Sequence, residues 1–409
     1  MVTRPAYGGP ARLDAPSRPT ADTLGRVAHP STQTDDRARR RSSGALPDLA
    51  EPTEPDGSAE LRHRVERELE RYLAARRGEA AAIGPVFGEA VDALARFVLG
   101  GGKRIRPTFA WWGWRGAGGD PAAPEADAVL RALSALELIQ ASALIHDDLI
   151  DASATRRGRP TVHVEFATRH ADADWSGPPA RFGAAAAILL GDLALTWADD
   201  LYRDSGLPSA TLDRAAEAWR GMRTEVLGGQ FLDVHTQATG DESAAAALRI
   251  DRYKTAAYTV ERPLHLGALL AGADDTLVTA YRRFGADIGV AFQLRDDLLG
   301  VYGDPEVTGK PAGDDIREGK RTLLLALALE KAGPARAEIT AALGASELAP
   351  ETVERLRTLF LELGAVQAVE QRIAALTGAA LDALTTADID EPAATTLQEL
   401  AVSATRRHR

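Results

Sequence analysis

Two groups of aspartates have the residue type and spacing of a cation-binding site. The first group is Asp147, Asp148 and Asp151, at the end of a long apolar segment. A helix places Asp147 and Asp151, four residues apart, on one face, where their like charges repel. Mg²⁺ would remove this repulsion, because it binds carboxylate oxygens together with substrate phosphates. For this cluster alone, a solvated acidic helix end is the alternative interpretation.

A second acidic pair, Asp296 and Asp297, lies at the end of another apolar segment. Gln293 precedes the pair by about one helical turn. Gly300 stands where a third acid would repeat the spacing of the first cluster. We interpret this pair as the second half of a metal-binding arrangement.

Basic residues accompany both acidic clusters. Lys103 and Arg106 lie in a glycine-rich turn that begins at Gly101 and precedes a predicted helix. Glycine lets the backbone approach an anion closely, and a helix N-terminus favours phosphate. The other cationic residues near the clusters are Arg156, Arg157, Lys254, Lys310 and Lys320. Together they suit two diphosphate groups, one held through Mg²⁺ and one held directly. The sequence contains no P-loop or dinucleotide-binding fingerprint.

These motifs, in this order, resemble the polyprenyl diphosphate synthase family, also called trans-isoprenyl diphosphate synthases. The resemblance covers about residues 60–405 and is strongest to the geranylgeranyl diphosphate synthases of actinobacteria. The segments that carry it are GGKRIRP at 101–107, HDDLID at 146–151, RRGRPTVH at 156–163, KT at 254–255, FQLRDD at 292–297 and GKPAGDDIREGKRT at 309–322. It implies an all-α bundle around a deep central cavity, assembled as a homodimer.

The resemblance also implies roles for individual residues. The residues implied to bind the diphosphate of isopentenyl diphosphate are Lys103, Arg106, Arg157 and Gln140. The residues implied to hold Mg²⁺, with three ions in each active site, are Asp147, Asp151 and Asp296, with Asp148 and Asp297 in less direct roles. The residues implied to contact the allylic diphosphate are Arg156, Lys254, Lys310 and Lys320, and those beside the reacting carbon are Thr255 and Gln293. The implied catalytic set is Asp147, Asp151, Asp296, Arg156 and Lys254.

The implied reaction is a Mg²⁺-dependent head-to-tail condensation of isopentenyl diphosphate with an allylic diphosphate. A chain growing away from the metal cluster would pass Ser142 and Ala143, five and four residues before Asp147. Both side chains are small, so growth beyond C15 is predicted, and geranylgeranyl diphosphate (C20) is the expected product. A deeper floor near Met222 and Val226 would set the final stop, and C15 or longer products remain open.

Two other functions fit parts of the pattern. A class I terpene cyclase also uses the first acidic motif, but it needs no second diphosphate site and leaves Lys103, Arg106 and Arg157 unexplained. A non-catalytic subunit of a heteromeric synthase typically lacks the acidic motifs, and here the first is complete. Consumption of isopentenyl diphosphate would distinguish the synthase from both.

The elements that must position these residues are predicted to be helices. From Ala59 onward, apolar residues recur at spacings of three and four, alanine is abundant, and no regular alternating pattern indicates strands. The predicted helices span 59–79, 85–99, 105–115, 124–151, 181–204, 209–238, 246–271, 276–301, 314–332, 336–344, 351–363, 366–385 and 392–405. Residues 59–409 are therefore predicted to form one all-α domain. Residues 1–58 hold 8 of the 22 prolines and few large apolar side chains, which predicts a disordered tail.

Composition excludes several classes of protein. The 409 residues include no cysteine, which excludes disulfides, zinc–thiolate sites and thiol nucleophiles. A net charge of −11 argues against nucleic-acid partners. A membrane span needs about 20 apolar residues, and the longest uninterrupted apolar runs, 184–190 and 323–329, are much shorter. We therefore expect no transmembrane segment and a cytoplasmic location.

Overall fold

The computed structural model of the protein describes residues 58–303, 313–345 and 348–406. These residues are almost entirely helical, so the all-α prediction is confirmed. The tail predicted at 1–58 lies, except for Ser58, outside the described residues and stays a prediction.

Sixteen α-helices follow one another in the described residues. In chain order they are α1 (Ser58–Ile83), α2 (Pro85–Leu99), α3 (Ile105–Gly116), α4 (Ala126–Ile150), α5 (Val162–Asp172), α6 (Pro179–Arg203), α7 (Ser209–Thr239), α8 (Ala244–Ile250), α9 (Arg262–Ala271), α10 (Asp275–Tyr302), α11 (Asp314–Arg317), α12 (Leu323–Lys331), α13 (Arg336–Ala342), α14 (Pro350–Glu362), α15 (Ala365–Leu384) and α16 (Ala393–Thr405). A π-helix, Asp251–Glu261, joins α8 to α9, and a 3₁₀ turn, Gly333–Ala335, precedes α13.

Helix α4 lies in the core and carries the first acidic cluster at its C-terminal end. It is apolar on nearly all sides, and Leu133, Leu136 and Leu138 are fully buried. It packs mainly against α6 and also against α3 and α1. A helix that is hydrophobic all round is buried on all sides. The core therefore fixes the position from which the aspartates leave the helix.

The π-helix replaces the middle of the single α-helix predicted over 246–271. Such wide turns are rare and occur mostly at functional sites. Neighbouring helices make room for it with glycine: a Cβ atom on Gly229 of α7 would collide with the backbone of Lys254. A Cβ atom on Gly289 of α10 would lie 2.5 Å from Ala256. These close approaches bring the π-helix against both α7 and α10.

Two further sequence predictions of secondary structure are wrong. The helix predicted over 314–332 is interrupted, because Gly319 adopts φ 70° and the chain turns between α11 and α12. Helix α5 was not predicted, although its buried residues Val162, Phe166 and His170 recur every four positions. Between α4 and α5 the chain also forms a short antiparallel hairpin, in which the backbone of Arg156 lies opposite that of Arg159.

Two of the described helices, α4 and α6, are long and apolar enough to cross a membrane by length and composition. The apolar window of α4 is 72% buried within the protein, as expected of a core helix, whereas that of α6 is 39% buried. The outer side of α6 therefore exposes apolar surface.

Candidate active site

Asp147 lies near the end of α4, where Lys254 of the π-helix reaches it. Lys254 Nζ lies 2.9 Å from Asp147 Oδ1 and 2.6 Å from Oδ2 of Asp233 on α7. Burial alone would raise the pKa of Asp147, but the positive charges of Lys254, Lys320 and Arg156 lower it. Cations of the protein itself thus keep this carboxylate ionised.

Arg156, in the hairpin, holds the second acid of the first cluster. Its Nε donates to Asp148 Oδ1 at 2.7 Å, and its Nη2 lies 3.6 Å from Asp147 Oδ2. Because Asp148 is buried, its carboxylate fixes Arg156 next to Asp147. Burial and the charge of Asp147 raise the pKa of Asp151 to about 6. A cation bound beside Asp151 would restore its negative charge.

A chain of hydrogen bonds joins the π-helix to α10 at the second acidic pair. Thr255 Oγ1 donates to Gln293 Oε1 at 2.7 Å, and Gln293 Nε2 donates to Asp297 Oδ1 at 2.6 Å. The amide of Gln293 is therefore fixed at both ends. The structure thus brings three of the predicted site residues into direct contact.

Buried carboxylates gather around Asp297. Asp297 is 5% exposed, and its Oδ2 makes no hydrogen bond within the described residues. Burial, followed by the charge of Asp315, raises the pKa of Asp297 to about 8. Asp251, at the start of the π-helix, is also buried, and burial with the charges of Asp297 and Asp233 raises its pKa well above the usual value. Buried charge of one sign is costly, so a cation would stabilise this cluster.

Lys320 lies in the turn between α11 and α12. Its Nζ is 2.7 Å from Glu318 Oε2 and 3.3 Å from Asp315 Oδ1. Its charge also opposes the rise in the pKa of Asp151. Lys320 therefore lies within electrostatic reach of the first cluster. Lys310 lies outside the described residues.

The glycine-rich turn between α2 and α3 contacts the loop after the first cluster. Gly101 and Gly102 have φ values of 97° and 133°, which residues with side chains rarely adopt. Arg157 donates from Nη1 to the carbonyl of Gly101, and a Cβ atom on Gly102 would lie 3.1 Å from Arg157 Nη2. Lys103 follows on the same turn and is exposed. The turn and Arg157 thus form one cationic surface.

Tyr258 of the π-helix connects Arg106 to Gln140. The guanidinium of Arg106 lies 4.0 Å from the centre of the Tyr258 ring, and Tyr258 donates its hydroxyl proton to Gln140 Oε1 at 2.9 Å. Arg106 also donates from Nη2 to Thr259 Oγ1 at 2.7 Å. Because the same π-helix carries Lys254, it contributes to both the acidic site and the cationic site.

A cavity of about 310 Å³ opens beside the glycine turn. Its charged lining consists of Arg96, Arg156, Arg157, Arg159 and Glu165. The excess of positive charge favours an anionic ligand.

Three contacts of the site were not predicted from the sequence: Asp233, Tyr258 and Asp315. For Asp233 a signal exists, because it continues the buried positions Val226 and Gly229 of α7 at helical spacing. An acid in such a series is rarely buried without a partner. Tyr258 has no comparable local signal, because its contacts are with residues on distant helices. Asp315 lies five residues before its ion-pair partner Lys320, but its place beside Gly300 of α10 is a tertiary contact that sequence spacing does not reveal.

The donor set fits Mg²⁺ that is bound together with a diphosphate. Within residues 58–303, 313–345 and 348–406, no three His, Asp or Glu side chains converge closely enough to form a cation site alone. Mg²⁺ usually binds through one or two carboxylates plus substrate phosphates, so a complete protein cage is not required. The unpartnered Oδ2 of Asp297 provides a buried carboxylate oxygen for such a cation.

Comparisons with known proteins identify the family of the chain. Residues 89–360 match the family described as polyprenyl synthetase. The chain is 35% identical over 283 residues to geranylfarnesyl diphosphate synthase of Aeropyrum pernix, covering 68% of this chain and 82% of the relative. It is 36% identical over 264 residues to geranylgeranyl diphosphate synthase of Mycobacterium tuberculosis, covering 63% and 69%, respectively.

A solved structure is also similar over most of the chain. It is that of geranylgeranyl pyrophosphate synthase from Corynebacterium glutamicum, complexed with isoprenyl diphosphate and magnesium. The two chains are 47% identical with a TM-score of 0.83, and the alignment covers 87% of this chain and 100% of the other. The fold and site define a helical prenyltransferase. The chain belongs to the polyprenyl synthetase family, which confirms the predicted resemblance.

Proposed function

We propose that the protein condenses isopentenyl diphosphate head-to-tail with allylic diphosphates and releases geranylgeranyl diphosphate. The observation that carries this proposal is the presence of two cationic sets, one with a lysine on the π-helix and one with an arginine that contacts it. One set, with Lys254 and Arg156, contacts the first acidic cluster. The other, with Arg106 and Arg157, adjoins the glycine turn. Two sets suit two diphosphates, whereas a terpene cyclase would need one.

The allylic diphosphate would bind at the acidic clusters. Asp147, Asp151 and Asp296 are the proposed ligands of three Mg²⁺ ions, which when bound supply Lewis-acid neutralisation of the leaving diphosphate. Lys254, which pairs with Asp147 and Asp233, places its positive charge at this cluster. Arg156, fixed by Asp148, adds preorganised positive potential at the same place.

Isopentenyl diphosphate would bind at the glycine turn. Arg157 and Arg106 are each held by the protein, the first by Gly101 and the second by Thr259. Lys103, which is exposed, would also bind the diphosphate of isopentenyl diphosphate. Gln140, fixed by the Tyr258 hydroxyl, would provide a neutral hydrogen-bonding group beside them.

The proposed reaction begins when the bond between C1 of the allylic substrate and its diphosphate breaks. The double bond of isopentenyl diphosphate then attacks C1, and loss of one proton regenerates an allylic diphosphate one isoprene unit longer. The released diphosphate is the proposed acceptor of that proton. Water must be excluded, because it would trap the allylic cation. The apolar interior beside α4 would serve this purpose.

The proposed C20 product rests on small side chains before the first acidic cluster. Ser142 is buried and Ala143 is half-buried on α4, and neither carries an aromatic ring that would stop growth at C15. On α7, Met222 and Val226 are both buried and are the proposed deeper floor.

Product analysis tests this function. The full-length protein is incubated with Mg²⁺, isopentenyl diphosphate and each of the C5, C10 and C15 allylic primers. We expect all three primers to be extended and C20 to accumulate. Failure to consume isopentenyl diphosphate would contradict the proposal, and accumulation of C15 or C25 would contradict the chain-length assignment alone.

The proposed assembly is a homodimer in the cytoplasm, a compartment whose reducing conditions suit a chain without cysteine. Exposed apolar residues support the dimer: Ile188 and Leu189 on α6, and Leu227, Phe231 and Val234 on α7. The α7 residues follow helical spacing, so they form one stripe. Contiguous apolar surface of this kind marks an interaction site.

Light scattering after size-exclusion chromatography tests the dimer. We expect twice the chain mass for the parent and the single mass for a Leu227→Asp/Phe231→Asp variant. Leu361→Asp, at a similarly exposed leucine of α14, is the control and should remain dimeric. A parent that elutes as a monomer would contradict the assignment.

A further inference from the structure

The second acidic cluster lacks a third acid on α10, and another part of the chain fills that space. A Cβ atom built on Gly300 would lie 2.5 Å from Cγ of Asp315 and closer still to one of its carboxylate oxygens. Real side chains do not approach so closely. The carboxylate of Asp315 therefore occupies the position into which a side chain at residue 300 would project.

Asp315 belongs to the short helix α11, which the chain places against α10. Its side chain is only 12% exposed, which is unusual for a carboxylate that has no structural or binding role. Its partner within 4 Å is Lys320, whose Nζ is 3.3 Å away but lies closer to Glu318. One lysine thus contacts two carboxylates.

A separate observation indicates that a cation belongs here. Asp297, on the same helix as Gly300, is only 5% exposed. Its Oδ2 makes no hydrogen bond within the described residues. Its Oδ1 is already used by Gln293. A buried carboxylate oxygen without a donor costs free energy that a bound cation would recover.

We propose that Asp315 supplies the third carboxylate of the second acidic cluster, in the place of an acid at residue 300. This inference rests on the proposed function and deepens it, because it assigns a further residue to the Mg²⁺ site. The cluster is then built from two segments: Asp296 and Asp297 from α10, and Asp315 from α11. The affinity for the cation depends on the position of α11 as well as on α10.

Cation binding can be measured without catalysis. Free Mn²⁺ is followed by electron paramagnetic resonance while it is titrated into the full-length protein with inorganic pyrophosphate. Asp315→Asn keeps the size of the side chain and should weaken Mn²⁺ binding by about tenfold, as loss of a partner in a metal site typically does. Asp314→Asn is the matched control on the same helix and should bind Mn²⁺ like the parent. Equal affinities in the two variants would overturn the proposal.

A reciprocal exchange tests the position itself. Gly300→Asp alone should weaken Mn²⁺ binding, because two carboxylates then compete for one space. Adding Asp315→Ala removes the collision and should return the affinity to within about threefold of the parent. Parent-like binding by Gly300→Asp alone would overturn the proposal. Because the readout is Mn²⁺, a protein that shows this pattern but never consumes isopentenyl diphosphate would contradict the proposed function and leave this assignment standing.

Discussion

Replacing Glu137 by Gln removes the charge that neutralises a buried arginine beside the glycine turn. Arg104, between Lys103 and Arg106, is 3% exposed, and its Nη1 donates to Glu137 Oε2 at 2.8 Å. A second acid, Glu66, has its Oε1 3.5 Å from Arg104 Nε. Glu137→Gln therefore leaves a buried guanidinium with the longer of its two ion pairs.

The expected loss follows from this geometry. Removing one partner of a buried ion pair costs about 3–5 kcal/mol. Glu66 remains and the new amide oxygen can still accept a hydrogen bond, so we expect the lower limit, about 3 kcal/mol. At about 2 °C per kcal/mol for a large domain, Tm falls by about 6 °C.

Arg104 also has φ 50°, a conformation that its contacts must stabilise. A looser turn should raise KM for isopentenyl diphosphate about tenfold and change kcat little.

The assay combines thermal unfolding with initial rates in each substrate. Glu66→Gln is the control, because its side chain is 29% exposed and its ion pair is longer. We expect it to cost less than about 1 kcal/mol. Equal Tm values for Glu137→Gln and Glu66→Gln would refute the reasoning. An equal rise in KM for the allylic substrate would refute the link to the glycine turn.

Three other changes test separate parts of the account. Asp147→Ala should lower kcat about a thousandfold while the protein stays folded, because it removes a proposed metal ligand. Ser142→Phe should shift the product toward C15 without abolishing use of isopentenyl diphosphate. His265 is buried, and burial with the charges of Arg262 and Arg282 lowers its pKa to about 4. Between pH 6.5 and 4 the unfolded state binds this proton and the folded state does not, so the free energy of unfolding falls by about 3 kcal/mol. His265→Gln should remove that part of the acid sensitivity.

A different result would contradict each of these three predictions. A kcat near that of the parent in Asp147→Ala would exclude a metal role. An unchanged product distribution in Ser142→Phe would mean that α4 does not border the growing chain at that depth. An unchanged loss of stability between pH 6.5 and 4 in His265→Gln would mean that other groups carry the acid sensitivity.

The local pattern of the sequence was sufficient to predict α4 and the placement of its acids. Apolar residues recur at helical spacing up to Ile145, so the period alone indicates that Asp147 lies at the end of a buried helix. Helix α10 could be predicted for the same reason, and Gln293 and Asp297 are one turn apart on it.

The π-helix could not be predicted in this way. Its wide turns depend on glycines of α7 and α10, such as Gly229 and Gly289, which are distant in sequence. The same holds for the contact between Tyr258 and Arg106 and for the partner of Asp233, Lys254, although helical spacing on α7 does indicate that Asp233 is buried. Hydrophobic periodicity reports which face of a helix is buried, but it does not report which distant side chain meets that face.

The most direct test of separate binding sites for two diphosphates is the pair of Michaelis constants in Lys103→Ala. The chain has five lysines, and Lys331, at the end of α12, is exposed and has no proposed role. We predict that Lys103→Ala raises KM for isopentenyl diphosphate at least about tenfold, because a charged hydrogen bond is lost, and leaves KM for the allylic substrate within about twofold. Lys331→Ala should change neither constant. Equal rises in both constants, or no rise in either, would contradict two separate sites.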